Sequence, residues 1–169
     1  MKNWKNSKRR REKWGNKINH GGYTANLDQH VTVFIIGMRI NKWWAVHKWL
    51  PVFMAMPKMI RELYTQKEYG FLSMQSYFGL RTTLMVQYWR SNEELIAYAR
   101  DTTHLKAWKD FNRKTRHNDA VGIYHETYNV GPGSYECVYR NMPIFGLANA
   151  VGNQKITPDM NTAKKRLHS

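Results

Sequence analysis

Cysteine is all but missing from this chain: Cys137 is the single one in 169 residues. A disulfide within the chain is therefore excluded, and the reading predicts a reducing, cytoplasmic compartment. The basic N-terminal stretch is followed by no apolar core of signal-peptide length, so secretion is not expected. The greasiest stretch, residues 43–60, is interrupted by His47, Lys48, Pro51, Pro57 and Lys58. A membrane-spanning helix needs about 20 predominantly apolar residues. The chain also lacks a His-Glu-x-x-His, a cysteine pair or a cluster of carboxylates, which removes the familiar metal-site patterns. It has no Gly-x-Gly-x-x-Gly and no Walker loop, so NAD or a tightly held flavin has no fingerprint. Nothing around Cys137 suggests a Cys-His nucleophile.

Carboxylates are scarce as well, 12 Asp and Glu against 27 Lys and Arg, for a formal net charge of +15. Such an excess suits nucleic acid or an anionic membrane surface. Much of it lies at the ends, however, in Lys2, Lys5, Lys8, Arg9, Arg10, Arg11, Lys13 and Lys17, and again in Lys164, Lys165 and Arg166. Blocks of like charge at chain ends read first as solvated arms, and contact with a polyanion is the less favoured alternative. Residues 1–29 are thus taken as a basic arm, residues 30–152 as one domain with a C-terminal wrapping segment, and residues 153–169 as a polar tail that frays. With 42% hydrophobic and 14% aromatic residues, the middle has enough apolar side chain for a core of its own.

Within that domain the elements read in order. Val31–Ile40 is a strand apolar in both alternating registers, and a strand greasy on both faces is covered on both. Residues 43–66 form a helix that Pro51 and Pro57 kink or split, with Trp43, His47, Leu50, Met54, Met59 and Leu63 on one face. Residues 71–80 and 82–89 are two strands close enough for a hairpin. Ser91-x-x-Glu94 has the spacing of a capping box and opens a helix running through Leu95, Tyr98, Leu105 and Trp108 to about Asn112. Residues 121–130 are a fourth strand, closed by Gly131-Pro-Gly133. The order β-α-β-β-α-β predicts an α+β, ferredoxin-like domain: a four-stranded antiparallel sheet with helices on one face. Because the strands are apolar on both sides, a second copy packing sheet to sheet is the simplest cover for the other face, giving a dimeric α/β barrel and a homodimer.

Among residues able to carry chemistry, His125 comes first. It is a titratable group in mid-strand, beside Val121 and Ile123, able to shuttle a proton, position oxygen or ligate iron. It reads equally as a hydrogen-bonded interface histidine. His104, one turn before Trp108, is placed to reach a cavity from the helix wall, or to pack as an ordinary surface histidine. Glu126 alternates to the other side of the strand from His125, so the two cannot pair. Arg39 ends an apolar strand, where it either clamps an anion or reaches water. Trp89, Trp108 and Tyr124 supply walls or hydrogen-bond donors for a flat hydrophobic ligand, and aromatic and Met-rich walls are just as readily plain core.

Several runs point to a family. Val33 to Asn41, the Trp-Arg-Ser-x-Glu-x-Leu pattern at Trp89 to Leu95, His104-x-x-Ala-Trp-x-x-Phe-Asn112, Val121-Gly-Ile-x-His-Glu-Thr-Tyr128 and Tyr139-x-Asn-Met-Pro143 together resemble the family named after the monooxygenase of fumagillin biosynthesis. The resemblance covers roughly residues 30–150. It implies a dimeric α/β barrel and an oxygenase acting on a hydrophobic small molecule in a pocket between sheet and helices, either cofactor-free or haem-assisted. A non-catalytic haem- or lipophilic-ligand-binding protein is the alternative. Haem-degrading relatives take their iron ligand from a histidine late in the second helix; that position falls here on Trp108. A haem would then need His125 or His104 as its axial ligand.

Overall fold

The computed structural model describes residues 17–167, apart from residues 27, 66, 102–103, 106–107, 110–111 and 114–115. A short first strand, β1 (Asn19–Ala25), precedes β2 (Val31–Ile40). Two helices follow, α1 (Val46–Phe53) and α2 (Met56–Thr65), and then the hairpin β3 (Phe71–Phe78) and β4 (Thr82–Trp89). Helix α3 (Asn92–Arg100) leads towards β5 (Val121–Val130). Strands β2 to β5 form one antiparallel sheet in the order β3-β4-β2-β5. With β1 set aside, that is the β-α-β-β-α-β order and the strand arrangement of a ferredoxin-like α+β fold.

Local chemistry explains the breaks. Pro51 sits inside α1, Pro57 is the second residue of α2, and a turn at Met54–Ala55 separates them. The Ser91 hydroxyl accepts the Glu94 amide at 3.2 Å, the N-cap half of the expected capping box, while the Glu94 carboxylate accepts from the Arg90 guanidinium instead of a helix-start amide. The helix expected to run to Asn112 instead stops at Arg100. Asp101 is extended in ψ (141°), and its carbonyl accepts the Leu105 amide at 2.7 Å to begin a new helical turn. Asp favours the start of a helix over its interior, which accounts for the restart.

The register assigns every side chain to a face. Phe34, Met38 and Ile40 of β2 turn towards the helices. Met38 and Ile40 pack with Val52 and Val121 under α1, and Phe34 lies against a core of Leu63, Trp89, Leu95 and Tyr98 under α2 and α3. The helix face read from residues 43–63 is turned the other way along α1: Trp49, Val52 and Phe53 pack inward, while Val46, Leu50 and Met54 are exposed. A helix only eight residues long, with Trp49 locked to Trp43 by ring contact and by an indole N–H to carbonyl bond, takes its orientation from those anchors.

The other face of the sheet is partly covered by the chain itself. Strands β6 (Tyr139–Met142), β1 and β7 (Asn153–Lys155) make a second sheet, in the order β6-β1-β7, accompanied by α4 (Leu147–Val151). Val31 packs there with Ala25, Ala148 and Val151, flanked by Val33, Tyr88 and Tyr139. Segments assigned to the tails therefore build structure. Residues 19–25 pair at both edges, and the last helix, α5 (Ala163–Leu167), holds a buried Arg166 against Glu136 at 2.8 Å. Residues 1–16, with most of the basic arm, lie outside the described residues. No helix among the described residues is long and apolar enough to cross a membrane.

Candidate functional site

Among the described residues, buried side-chain atoms with unspent hydrogen-bonding capacity gather mainly on the helix side of the sheet; the Oγ of Ser73, a residue that pairs with Tyr88, lies on the other face. Trp89, with no exposed surface, anchors them: its indole N–H donates to Gln87 Oε1 at 3.0 Å, and its ring lies 5.4 Å from Tyr98 and 5.6 Å from Phe71. Tyr98 in turn stacks on His104, with ring centroids 4.4 Å apart, and meets Tyr69 at 5.0 Å. Three buried polar atoms in this cluster have no hydrogen-bond partner among the described residues: the Tyr98 hydroxyl, His104 Nδ1 and Glu62 Oε1. Glu62 comes from α2, and its charge acts on both Tyr98 and His104.

Burial decides the protonation of this group. It lowers the His104 pKa below that of a free imidazole, against the opposing pull of Glu62 and Asp101, so the ring is neutral at physiological pH. Burial, reinforced by Glu62, Tyr69 and Asp101, raises the Tyr98 hydroxyl far above the ordinary phenol range. Tyr69 is raised as well, by desolvation first and then by Asp101, whose carboxylate accepts its hydroxyl. The cluster therefore presents a neutral imidazole, a phenol that stays protonated and a carboxylate oxygen, all unmatched. Burying such atoms without partners costs about 1–3 kcal/mol each. A ligand hydroxyl or carbonyl would restore that loss.

The remaining residues singled out in the sequence fall elsewhere. His125 pairs with Ile36 across β2 and β5, so it shares the helix-side face, and its ring lies 5.6 Å from Phe34. It is nevertheless exposed, because β5 is an edge strand and Ile123 beside it is exposed too. No hydrogen bond or ring contact joins it to His104 among the described residues. Tyr124 pairs with Gly37 and lies on the opposite face, where its ring occupies the space a Cβ at Gly37 would need. Arg39 is on that opposite face as well and reaches water. Trp108 is 55% exposed, and Trp89 is too deeply buried to form a ligand-facing surface. Four of the six thus divide between two faces of the sheet, Trp89 and His125 towards the helices and Arg39 and Tyr124 away from them, while His104 and Trp108 lie on the helical segment after Asp101. Glu62 and Tyr69 went unnoticed in the sequence; Glu62 is the first carboxylate after Asp28, the one available signal.

Haem finds a poor fit here. A macrocycle is far larger than a ligand hydroxyl or carbonyl: to reach His104 Nδ1, enclosed and with its ring stacked on Tyr98, it would have to open the packing around that ring. His125 is accessible, but on an edge strand exposed along both faces, without the enclosing walls a macrocycle needs. A shallow surface depression, too slight to hold a ligand, lies away from both, lined by Asn19, Tyr23, Tyr139 and Met142 among others.

Fold and site together define a ferredoxin-like α+β domain with a buried imidazole-phenol-carboxylate cluster on the helix side. Residues 31–147 match the family model described as monooxygenase af470-like, and the chain belongs to that family. It is 32% identical over 94 residues to a protein of Aspergillus fumigatus named monooxygenase af470; the match takes in 53% of this chain and 33% of that relative's length. Among solved structures, it is similar to SnoaB of Streptomyces nogalater, described as a cofactor-independent oxygenase (TM-score 0.43, 10% identity, covering 60% of this chain and 93% of that one). It is also similar to a dimeric ferredoxin-like protein from an uncultured marine organism (TM-score 0.33, 20% identity, covering 60% and 94%).

Proposed function

We propose that this chain is a monooxygenase that takes a hydrophobic small molecule on the helix side of its sheet and handles a proton through His104, without a cofactor. The observation that carries this reading is the meeting of three buried, unpartnered polar atoms, on Glu62, Tyr98 and His104, beside the Trp89 core. Membership of a family named for a monooxygenase supplies the reaction class. A neutral imidazole that is harder to protonate than usual accepts a proton only from an acidic donor, such as a phenol or an enolisable C–H. An anion formed in this way is itself electron-rich. In a cofactor-free reaction it is the substrate that reduces dioxygen. Tyr98, protonated throughout, donates a hydrogen bond to the oxygen on which negative charge develops. His125, exposed at the edge of the same face, is a second proton-handling group facing solvent.

The same reading includes a homodimer. Beyond the part covered by β1, β6, β7 and α4, the outer face of the sheet keeps Tyr124 and Tyr128 at 40% and 49% exposure, with Ile35 and Val86 half-buried beside them. A second copy is the cover proposed for it. The free Cys137, whose sulfur accepts the Ala25 amide at 3.2 Å, fits a cytoplasmic setting.

Oxygen uptake with a panel of hydrophobic phenols and enolisable ketones tests the reaction. Wild-type protein should consume oxygen with at least one of them, and His104→Gln should lower kcat/KM by about 100-fold, within the usual range for loss of a general base. Full activity in His104→Gln would remove His104 from the reaction. A Soret band after incubation with hemin, abolished by His125→Ala, would replace the cofactor-free branch with the haem one.

A further inference from the structure

One end of the molecule exposes apolar side chains that no core requires. Along α1, Val46, Leu50 and Met54 recur every fourth residue and are 45%, 40% and 61% exposed, forming a stripe on the outer side of the helix. The β3-β4 hairpin reaches the same end: Phe78 touches Phe53 of α1, and Leu80 at the turn is 89% exposed. Trp44, just before α1, is 79% exposed. The end of β2 joins the group through the Ile40 amide, which donates to the Arg81 carbonyl at 2.7 Å.

Charge distinguishes this tip from an ordinary greasy patch. The chain carries no carboxylate between Asp28 and Glu62, and none between Glu68 and Glu93; those two stretches build the tip. Exposed Lys48 on α1, Arg81 at the hairpin turn and Arg39, which pairs with Thr82 near the end of β2, lie at this same end, and Asp119 is already bound to Lys42. Exposed Trp, Leu and Phe with cations and no free carboxylate beside them is the chemistry that places a surface at the headgroup level of an anionic bilayer.

We propose that this tip is a peripheral membrane-docking surface, with an anionic lipid bilayer as its occupant: Trp44, Leu50, Met54, Phe78 and Leu80 enter the interface while Arg39, Lys48 and Arg81 meet the headgroups. The proposal is independent of the oxygenase reading and stands or falls separately.

Sedimentation of the full chain with phosphatidylcholine vesicles, with or without phosphatidylserine, tests it. Wild type should bind the mixed vesicles more tightly than the neutral ones. The Trp44→Ser/Leu80→Ser variant, changed at two highly exposed positions, should keep its melting temperature and lose at least about tenfold in partitioning at physiological salt, since burial of one such side chain is worth that much. A variant carrying Arg9→Gln, Arg10→Gln and Arg11→Gln controls for the basic arm and should lose chiefly the binding seen at low salt. Wild type that ignores anionic vesicles, or a double variant that binds them as well as wild type does, overturns the proposal. So does a double variant whose main change is dissociation into monomers, which would make a second copy the occupant.

Discussion

Tyr98 and His104 stack at 4.4 Å, each with a buried polar atom that nothing in the described chain satisfies. They reach each other because α3 stops at Arg100 and the chain turns at Asp101 before helical structure resumes. An unbroken helix would have carried His104 past Tyr98 along a separate face.

The first expectation concerns Tyr98→Phe. The hydroxyl is buried and partnerless, so its removal should leave stability unchanged or raise it by up to about 1 kcal/mol, while kcat/KM falls about tenfold. Urea melts and oxygen uptake on the same preparation check both halves. A loss of several degrees in melting temperature would show that the hydroxyl has a partner after all.

His104 predicts a pH dependence. Its pKa is lowered in the folded state, so below about 6.5 the unfolded chain binds more protons than the folded one. The contribution is intact above the unfolded value and is lost as pH falls from there through the lowered folded value. Stability measured from about pH 7.5 down to about pH 5.5 should decline more steeply in wild type than in His104→Gln. Parallel curves for the two proteins would contradict the burial that lowers this group.

Trp89→Phe should destabilise by about 2–3 kcal/mol, from lost volume in a fully buried site and from Gln87 Oε1 losing its indole donor. Chemical denaturation measures this directly; a cost below about 0.5 kcal/mol would mean that the aromatic cluster does not organise this side of the core.

Arg166→Met tests the C-terminal clasp. Arg166 is buried, bonded to Glu136 and to the Met160 carbonyl, while Glu136 is 30% exposed and can rehydrate. A loss of about 1–3 kcal/mol is expected, with faster proteolysis near residue 160. Unchanged cleavage would return this segment to the status of a loose tail.

The large sheet was legible because its period shows. The strands at 31–40, 71–78, 82–89 and 121–130 are rich in β-branched and aromatic residues, and Ser91 and Glu94 announce α3. The second sheet was not. Asn19–Ala25, Tyr139–Met142 and Asn153–Lys155 are short and polar, and they pair across more than 110 residues, so no local pattern records them. Burial on both faces of β2 is legible in the sequence, with a second copy as its simplest cover and a C-terminal segment wrapping beside it; residues 147–151 and Ala25 supply part of that cover from within. At the site, His104 was chosen for its motif, whereas Glu62 was hidden on an amphipathic helix whose inward face cannot be separated from its flank by sequence alone. His125 in mid-strand looked enclosed, but only the strand order reveals that β5 is an edge.

The pairing of β1 with β7 joins residues 23–25 to residues 153–155. In a chain made from its N-terminus, β1 must wait until residues 153–155 have been synthesised before it gains that neighbour. The four-stranded sheet has all its strands by Val130, so it can form first, with Val31 and Val33 still open to solvent where Ala148 and Val151 will later sit. The domain would then close as a latch: β1 and β7 come together last, and removing either strand should leave a sheet that has folded but not closed.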